Sequence, residues 1–299
     1  MAKDKLTERF RVKPGARLRL KDHDPAWAGT KDMRKLGEPE LREKANQLLA
    51  RNLDRLSKAQ EVLWADDRYS LLVILQAMDA AGKDGLIKHV MSGLNPQGCE
   101  VSSFKQPSAE ELDHSFLWRC MKRAPERGRI GIFNRSYYEE VLVVRVHPEW
   151  LEKQKLPEGD RGRKFWEQRF DDINGFERHL TKSGTRVLKF FLHVSPEEQK
   201  KRFLERLTNP EKHWKFSAAD LAEGAHWKGY MEAYEDALSA TSTKDAPWFV
   251  IPADHKWVAR AAVSEILADS IEGLQLKFPK PTKEQVAAIR EARKKLEGE

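Results

Sequence analysis

Two short stretches of this chain carry residues able to move a phosphoryl group: AMDAAGKDG (77–85) and FNRSYYEE (133–140). In the first, an apolar run of strand length ends in small residues and Lys83, and a helical pattern follows. A strand, a tight turn and a helix N-terminus together present backbone N–H groups to phosphate oxygens, and a lysine adds a point charge on the outer ones. Ala80, Ala81, Gly82, Lys83, Asp84 and Gly85 are therefore expected to hold phosphate. The usual loop reads GxxxxGK followed by Ser or Thr. Here Ala77 replaces the first glycine and Asp84 the hydroxyl. Without that hydroxyl another oxygen must hold magnesium, and Asp79 inside the loop is the candidate.

In the second stretch a buried strand ends at Asn134, where a phosphate-loop protein places its second metal-positioning group. Arg135 follows and can neutralise phosphate with a planar fork of donors. Ser136 suits a helix N-cap, and Glu139, three residues on, completes the pattern of a capping box.

Taken together, MDAAGKDG and FNRSYYEEVLVVRVHP resemble the family-2 polyphosphate kinases. The likeness continues through FKQPSAEE (104–111), EEQKKRF, PEKHWKFS and APWFVIPADHKWVAR. It implies a P-loop kinase fold and reversible transfer of the terminal phosphoryl group of inorganic polyphosphate to a nucleotide, with Mg2+, or Mn2+, as cofactor. It further implies that Asp79 binds metal and activates the acceptor phosphate, that Lys83 binds phosphate and that Arg135 is catalytic. Many members have Asp at the place of Asn134 and Asn at the place of Glu139. The Asn–Glu combination resembles the subgroup accepting both nucleoside monophosphates and diphosphates, taking AMP to ADP and ADP to ATP. A neutral Asn134 leaves Asp79, with Glu139, as the expected metal ligands. Nucleotide contacts are expected from Lys105, Asn134, Arg135 and Glu139; Lys105 lies just past the second strand, on the edge where open α/β sheets bind ligands.

A basic segment, EEQKKRFLERLTNPEKHWKFS, carries Lys200, Lys201, Arg202, Arg206, Lys212 and Lys215. Alone, such a run reads as a solvated helix face with i,i+4 pairs. A loose phosphoryl-transfer transition state, however, spreads charge over peripheral oxygens that mobile cations can cover. The resemblance makes this segment a lid of about 197–226, with Arg202 the first expected catalytic contact and Arg206 and Lys215 further polyphosphate contacts.

These residues need elements to hold them. Apolar runs at 70–77, 100–104, 129–133, 187–194 and 248–251 have strand length, and amphipathic stretches at 109–123, 164–181 and 197–207 have helical spacing. Alternation of the two implies a mainly five-stranded parallel sheet with helices on both faces, a three-layer α/β sandwich. An N-terminal extension (1–69) contains a long helix over 39–64 with a stripe of Leu41, Ala45, Leu48, Leu49, Leu53, Leu56 and Leu63. The kinase domain spans 70–278, and a charged helix capped by Thr282 occupies 279–299. Residues 148–163 read as a surface excursion, and most of the nine tryptophans, Trp214 among them, read as core.

At 299 residues the chain can bury a large core. Two distant cysteines, Cys99 and Cys120, suggest neither a disulfide framework nor a zinc site, and the scattered histidines lack the i,i+4 pairing of a helical metal site. No apolar run reaches membrane-spanning length and the start lacks a signal-peptide core, so the cytoplasm is expected. A net charge of +7 does not choose among anionic partners. No reader motif for nucleic acid is present, so a nucleic-acid-binding protein ranks last. The nearer alternative is an ATP-dependent P-loop kinase of a small metabolite, and a homo-oligomer is expected.

Overall fold

The computed structural model describes residues 6–298; residues 1–5 and 299, the extreme ends of the expected terminal segments, lie outside them. Five strands are present: β1 at Ser70–Ala77, β2 at Cys99–Ser103, β3 at Ile130–Asn134, β4 at Thr185–His193 and β5 at Trp248–Pro252. All pair in parallel, in the order β2-β3-β1-β4-β5. Every expected run is a strand; β1, β3, β4 and β5 supply apolar residues to a sheet covered on both faces, where alternation is unnecessary, whereas β2 is a largely exposed edge strand. β1 is buried throughout, with Val73 opposite Ile132 on one side and Leu188 on the other. The chain leaves β1 for the edge, returns as β3 and crosses to β4. Around β1, then, the strand order switches, and the carboxyl ends open the crevice in which such sheets bind ligands.

The N-terminal segment is stitched into this core. Val12 N–H donates to Trp248 O at 2.9 Å and Arg11 bridges Phe249, which covers the free edge of β5. The long helix, Glu38–Asp66, lies against the helix Lys256–Glu272. Its buried stripe is not wholly leucine: Asn52 Nδ2 meets Ser264 Oγ at 3.1 Å, and Gln60 exchanges two hydrogen bonds with the Asn95 backbone. Buried amides are tolerated here because their groups are matched.

Three expectations change. The stretch 109–123 forms two short helices, Ala109–Leu112 and Trp118–Met121, since the polar run Asp113–His114–Ser115 turns its hydrogen bonds to local partners. Residues 148–163 are more than an excursion, for Pro148–Gln154 forms a 3-10 turn with Leu151 buried against the body. Trp248 is fully buried, but Trp214 is 78% exposed, because its segment projects beyond the sheet. Helix Lys283–Glu297 starts with a capping box of Thr282 and Gln285 and has no buried residue. Among the described residues no helix is long and apolar enough to cross a membrane.

His193, at the end of β4, is buried with no partner for Nδ1, and burial followed by the charge of His23 lowers its pKa to about 4, against Asp254 and Asp24. A histidine depressed in the native state binds its proton more readily when unfolded. Stability from it is thus present above the ordinary value near 6.5 and lost as pH falls toward 4. Between these limits, His193→Gln is expected to flatten the pH dependence of unfolding free energy by on the order of 3 kcal/mol. Denaturant titrations at several pH values check it; parallel wild-type and variant curves would refute the assignment.

Candidate active site

The phosphate loop is Met78–Gly82, between β1 and the helix Lys83–Val90. Two of its residues have left-handed backbone: Gly82 at φ +107° and, less usually, Ala80 at φ +62°. The turn is closed by Ala81 N–H donating to Met78 O at 3.3 Å. Lys83 does not extend into the crevice. It is buried, and its ammonium donates to Ala77 O at 2.8 Å, so that its charge lies under the start of the loop. Burial lowers its pKa, opposed first by Asp79.

β3 runs beside β1, with Asn134 opposite Leu75, and thereby brings the second motif to the loop. Arg135 has φ +64°, a strained conformation that turns its guanidinium toward Asp79, where Nη2 meets Oδ1 at 2.8 Å. Its Nη1 lies 3.8 Å from Glu139 Oε2. Burial is the largest influence on Arg135 and works against its charge, but Glu139 and Asp79 outweigh it and the pKa rises. Glu139 is pushed up by burial, with Arg135 and Lys83 drawing it back. The capping box is not formed. Ser136 Oγ accepts from Tyr138 N–H in a 3-10 turn, whereas the Glu139 carboxylate faces Arg135. A 3-10 turn is too tight for the reciprocal bond. Asn134 does not reach this cluster with its amide; Nδ2 donates to Asp84 Oδ1 at 2.9 Å.

Two pockets flank the loop. One is walled by Lys105, His114, Phe116, Arg119, Arg135, Tyr137, Glu139 and Trp150. The other is lined by Ala80, Ala81, Gly82, Gly85, Arg202, Arg206, Lys212, Lys215, Lys256 and Arg260, and no aromatic residue. Asp79 stands at the junction, since it pairs with Arg135 of the first pocket and precedes Ala80 of the second. Lys256 and Arg260 lie in the stretch APWFVIPADHKWVAR, to which the sequence assigned no individual role. Gln154 and Trp150 were likewise hidden in a segment without strong periodicity.

The basic segment divides. Helix Pro196–Thr208 starts in the body, where Arg202 is 5% exposed and pinned to backbone carbonyls instead of facing a mobile channel. Its expected place as the first lid cation is corrected for that reason. Arg206 lies 3.4 Å from Asp220, and Lys215 stacks on exposed Trp214 with Nζ 4.9 Å from the ring centroid. Asp220, unmarked by any sequence motif, reaches close enough that Asp79, after burial, raises its pKa. His147 Nε2 meets Glu223 at 2.9 Å and tethers the far end of the segment to the body.

Comparison with known proteins supplies the family. The description "Polyphosphate kinase 2 (PPK2)" matches residues 40–279. An ADP-polyphosphate phosphotransferase of Rhodopseudomonas palustris is 53% identical over 86% of this chain and 89% of its own. An AMP/ADP-polyphosphate phosphotransferase of Meiothermus ruber is 44% identical over 92% and 96%. The crystal structure of polyphosphate kinase 2 from Arthrobacter aurescens TC1 superposes with a TM-score of 0.83 at 41% identity, covering 96% of this chain and 97% of that one. With its family model matched over most of its length, relatives 53% and 44% identical over nearly the whole chain and the same fold, the chain belongs to the polyphosphate kinase 2 family.

Proposed function

We propose that this protein transfers the terminal phosphoryl group of inorganic polyphosphate to nucleoside monophosphates and diphosphates, reversibly, in the cytoplasm and as a homo-oligomer. The observation that carries the reading is the contrast between the two pockets. Arg206, Lys212, Lys215, Lys256 and Arg260 line one that has no aromatic wall, which suits a donor with many charges and no base. The other offers Phe116, Tyr137 and Trp150 together with Lys105 and Arg135, which suits the base and phosphates of an acceptor. Named relatives act on ADP or on AMP and ADP, which agrees with such an acceptor.

Magnesium fits these residues. Asp79 Oδ1 takes the Arg135 hydrogen bond, and Oδ2 has no partner among the described residues. No group of three side chains among them forms a cage; one or two carboxylates plus substrate phosphates is the usual magnesium set. Asp79, with Glu139 as a second candidate, would hold the ion, which would neutralise charge on the phosphoryl oxygens.

The chain's own groups then do the following. Lys105 and Arg135 hold the acceptor's terminal phosphate, and an oxygen of that phosphate attacks the terminal phosphorus of the donor in line. One P–O bond forms, one breaks, and the shortened polyphosphate leaves with the electron pair. The amides of the loop hold the transferring group, and Lys83 adds its positive charge from beneath the loop. Asn134 acts at one remove by fixing Asp84. Closure of the segment carrying Arg206 and Lys215 excludes water, which suppresses hydrolysis. With both substrates adjacent, no covalent enzyme intermediate is required.

Supplying polyphosphate and Mg2+ without ATP, with AMP and ADP in separate reactions, is expected to yield ADP and ATP respectively by chromatography. Product from ADP alone would remove the monophosphate arm. No product from either, with phosphate transfer from ATP to a small metabolite instead, would favour a metabolite kinase.

A further inference from the structure

Helix Pro196–Thr208 meets the phosphate loop at two residues one turn apart. Gln199 Nε2 donates to Asp79 O at 2.9 Å. Arg202 Nη1 donates to Ala80 O at 3.1 Å and Ala81 O at 2.7 Å, while Nη2 donates to Ala253 O at 2.6 Å and Asp254 O at 2.9 Å. Nε donates to Glu198 at 2.8 Å. All five guanidinium N–H groups are spent, four of them on carbonyls, so none is left for a phosphate. Both side chains are buried.

We propose that Gln199 and Arg202, the latter in the wall of the basic pocket, are positioning residues that set the loop amides for the donor by holding the loop's carbonyls. In a trans peptide unit the C=O and the next N–H point in opposite directions. Fixing the carbonyls of Asp79, Ala80 and Ala81 therefore fixes the N–H groups of Ala80, Ala81 and Gly82 in the opposite direction. Ala81 N–H closes the turn on Met78; those of Ala80 and Gly82 have no partner among the described residues and are the pair presented to phosphate. The clamp also offsets the left-handed strain of Ala80, whose carbonyl and predecessor it grips. Arg202 joins the loop to the end of β5 as well, which makes loop and sheet one rigid body.

The inference rests on residues 78–85 as the donor loop. Its test uses the full chain with Gln199→Met, which keeps volume, and Arg202→Gln, each assayed with triphosphate and with long polyphosphate. Expected for both is a kcat/KM loss of about tenfold or more that is the same at every donor length and insensitive to salt. Lys256→Ala should instead lose more with longer donors. Amide exchange at 80–83 should quicken in Gln199→Met, while β1 stays protected. A loss in Arg202→Gln that grows with donor length, or that salt abolishes, would overturn the proposal in favour of direct contact. Unchanged activity and exchange in Gln199→Met would overturn it also, and this variant decides if Arg202→Gln does not fold. If wild type uses only ATP, the proposed function fails, and the same comparison with ATP still tests the clamp.

Discussion

Asp79→Asn is expected to lower phosphoryl transfer by about a thousandfold or more while leaving the unfolding midpoint nearly unchanged. The substitution keeps shape and the capacity to accept from Arg135, but removes the charge that would hold the metal. Asp79 and Arg135 are 23% and 38% exposed in their side chains, so losing their ion pair costs the fold little. Lys83→Met should match the loss. Its stem is buried, and methionine fills the same space without the ammonium now resting on Ala77 O. Steady-state turnover of polyphosphate with ADP, alongside calorimetry, separates chemistry from stability. Near-normal turnover in both variants would refute the mechanism.

The second large effect concerns stability. Beneath the second motif Lys189 and Glu177 form an ion pair, both side chains essentially without exposure. Lys189 Nζ also donates to Tyr138 Oη at 3.0 Å and Thr241 O at 2.7 Å, and Glu177 Oε1 accepts from the Tyr137 and Tyr138 hydroxyls at 2.9 and 2.8 Å. Burial lowers the lysine pKa and Glu177 opposes that. Lys189→Met leaves a carboxylate in the core with no cation, which costs about 3–5 kcal/mol. Adding Glu177→Gln should recover much of it, since the uncompensated charge disappears. Denaturant midpoints of the single and double variants measure this. A single variant within 1 kcal/mol of wild type would show that the pair is not as isolated from water as its burial indicates. Because Tyr137 and Tyr138 directly follow Arg135 and Ser136, the network also anchors the turn that aims Arg135.

Several features of the site were visible in the chain itself. Four apolar runs became β1, β3, β4 and β5 because a doubly covered parallel sheet demands continuous apolar residues, a local property of each run; β2, more polar, is the exposed edge. The phosphate loop was legible because its chemistry is carried by consecutive backbone amides. Resemblance then joined it to Arg135, fifty residues away.

Other features were not local. Glu139 carried the pattern of a capping box and faces Arg135 instead, a choice made by the 3-10 turn. Arg202 looked like the best lid cation by charge and position, yet depth alone decided that its donors go to loop carbonyls. Gln199 had no signal at all, being a neutral residue in a charged helix. Lys256 and Arg260 became pocket residues only because their helix packs beside the loop.

The sequence by itself determined the sheet, the loop and the family, since strand periodicity, amide-rich turns and shared motifs are written in neighbouring residues. Tertiary structure alone decided which carbonyls of the loop are held by the body and which cations spend their donors inside it. That division has a physical cause. A side chain's partner is set by distance through space, and no spacing along the chain encodes whether an arginine will find phosphate or a carbonyl.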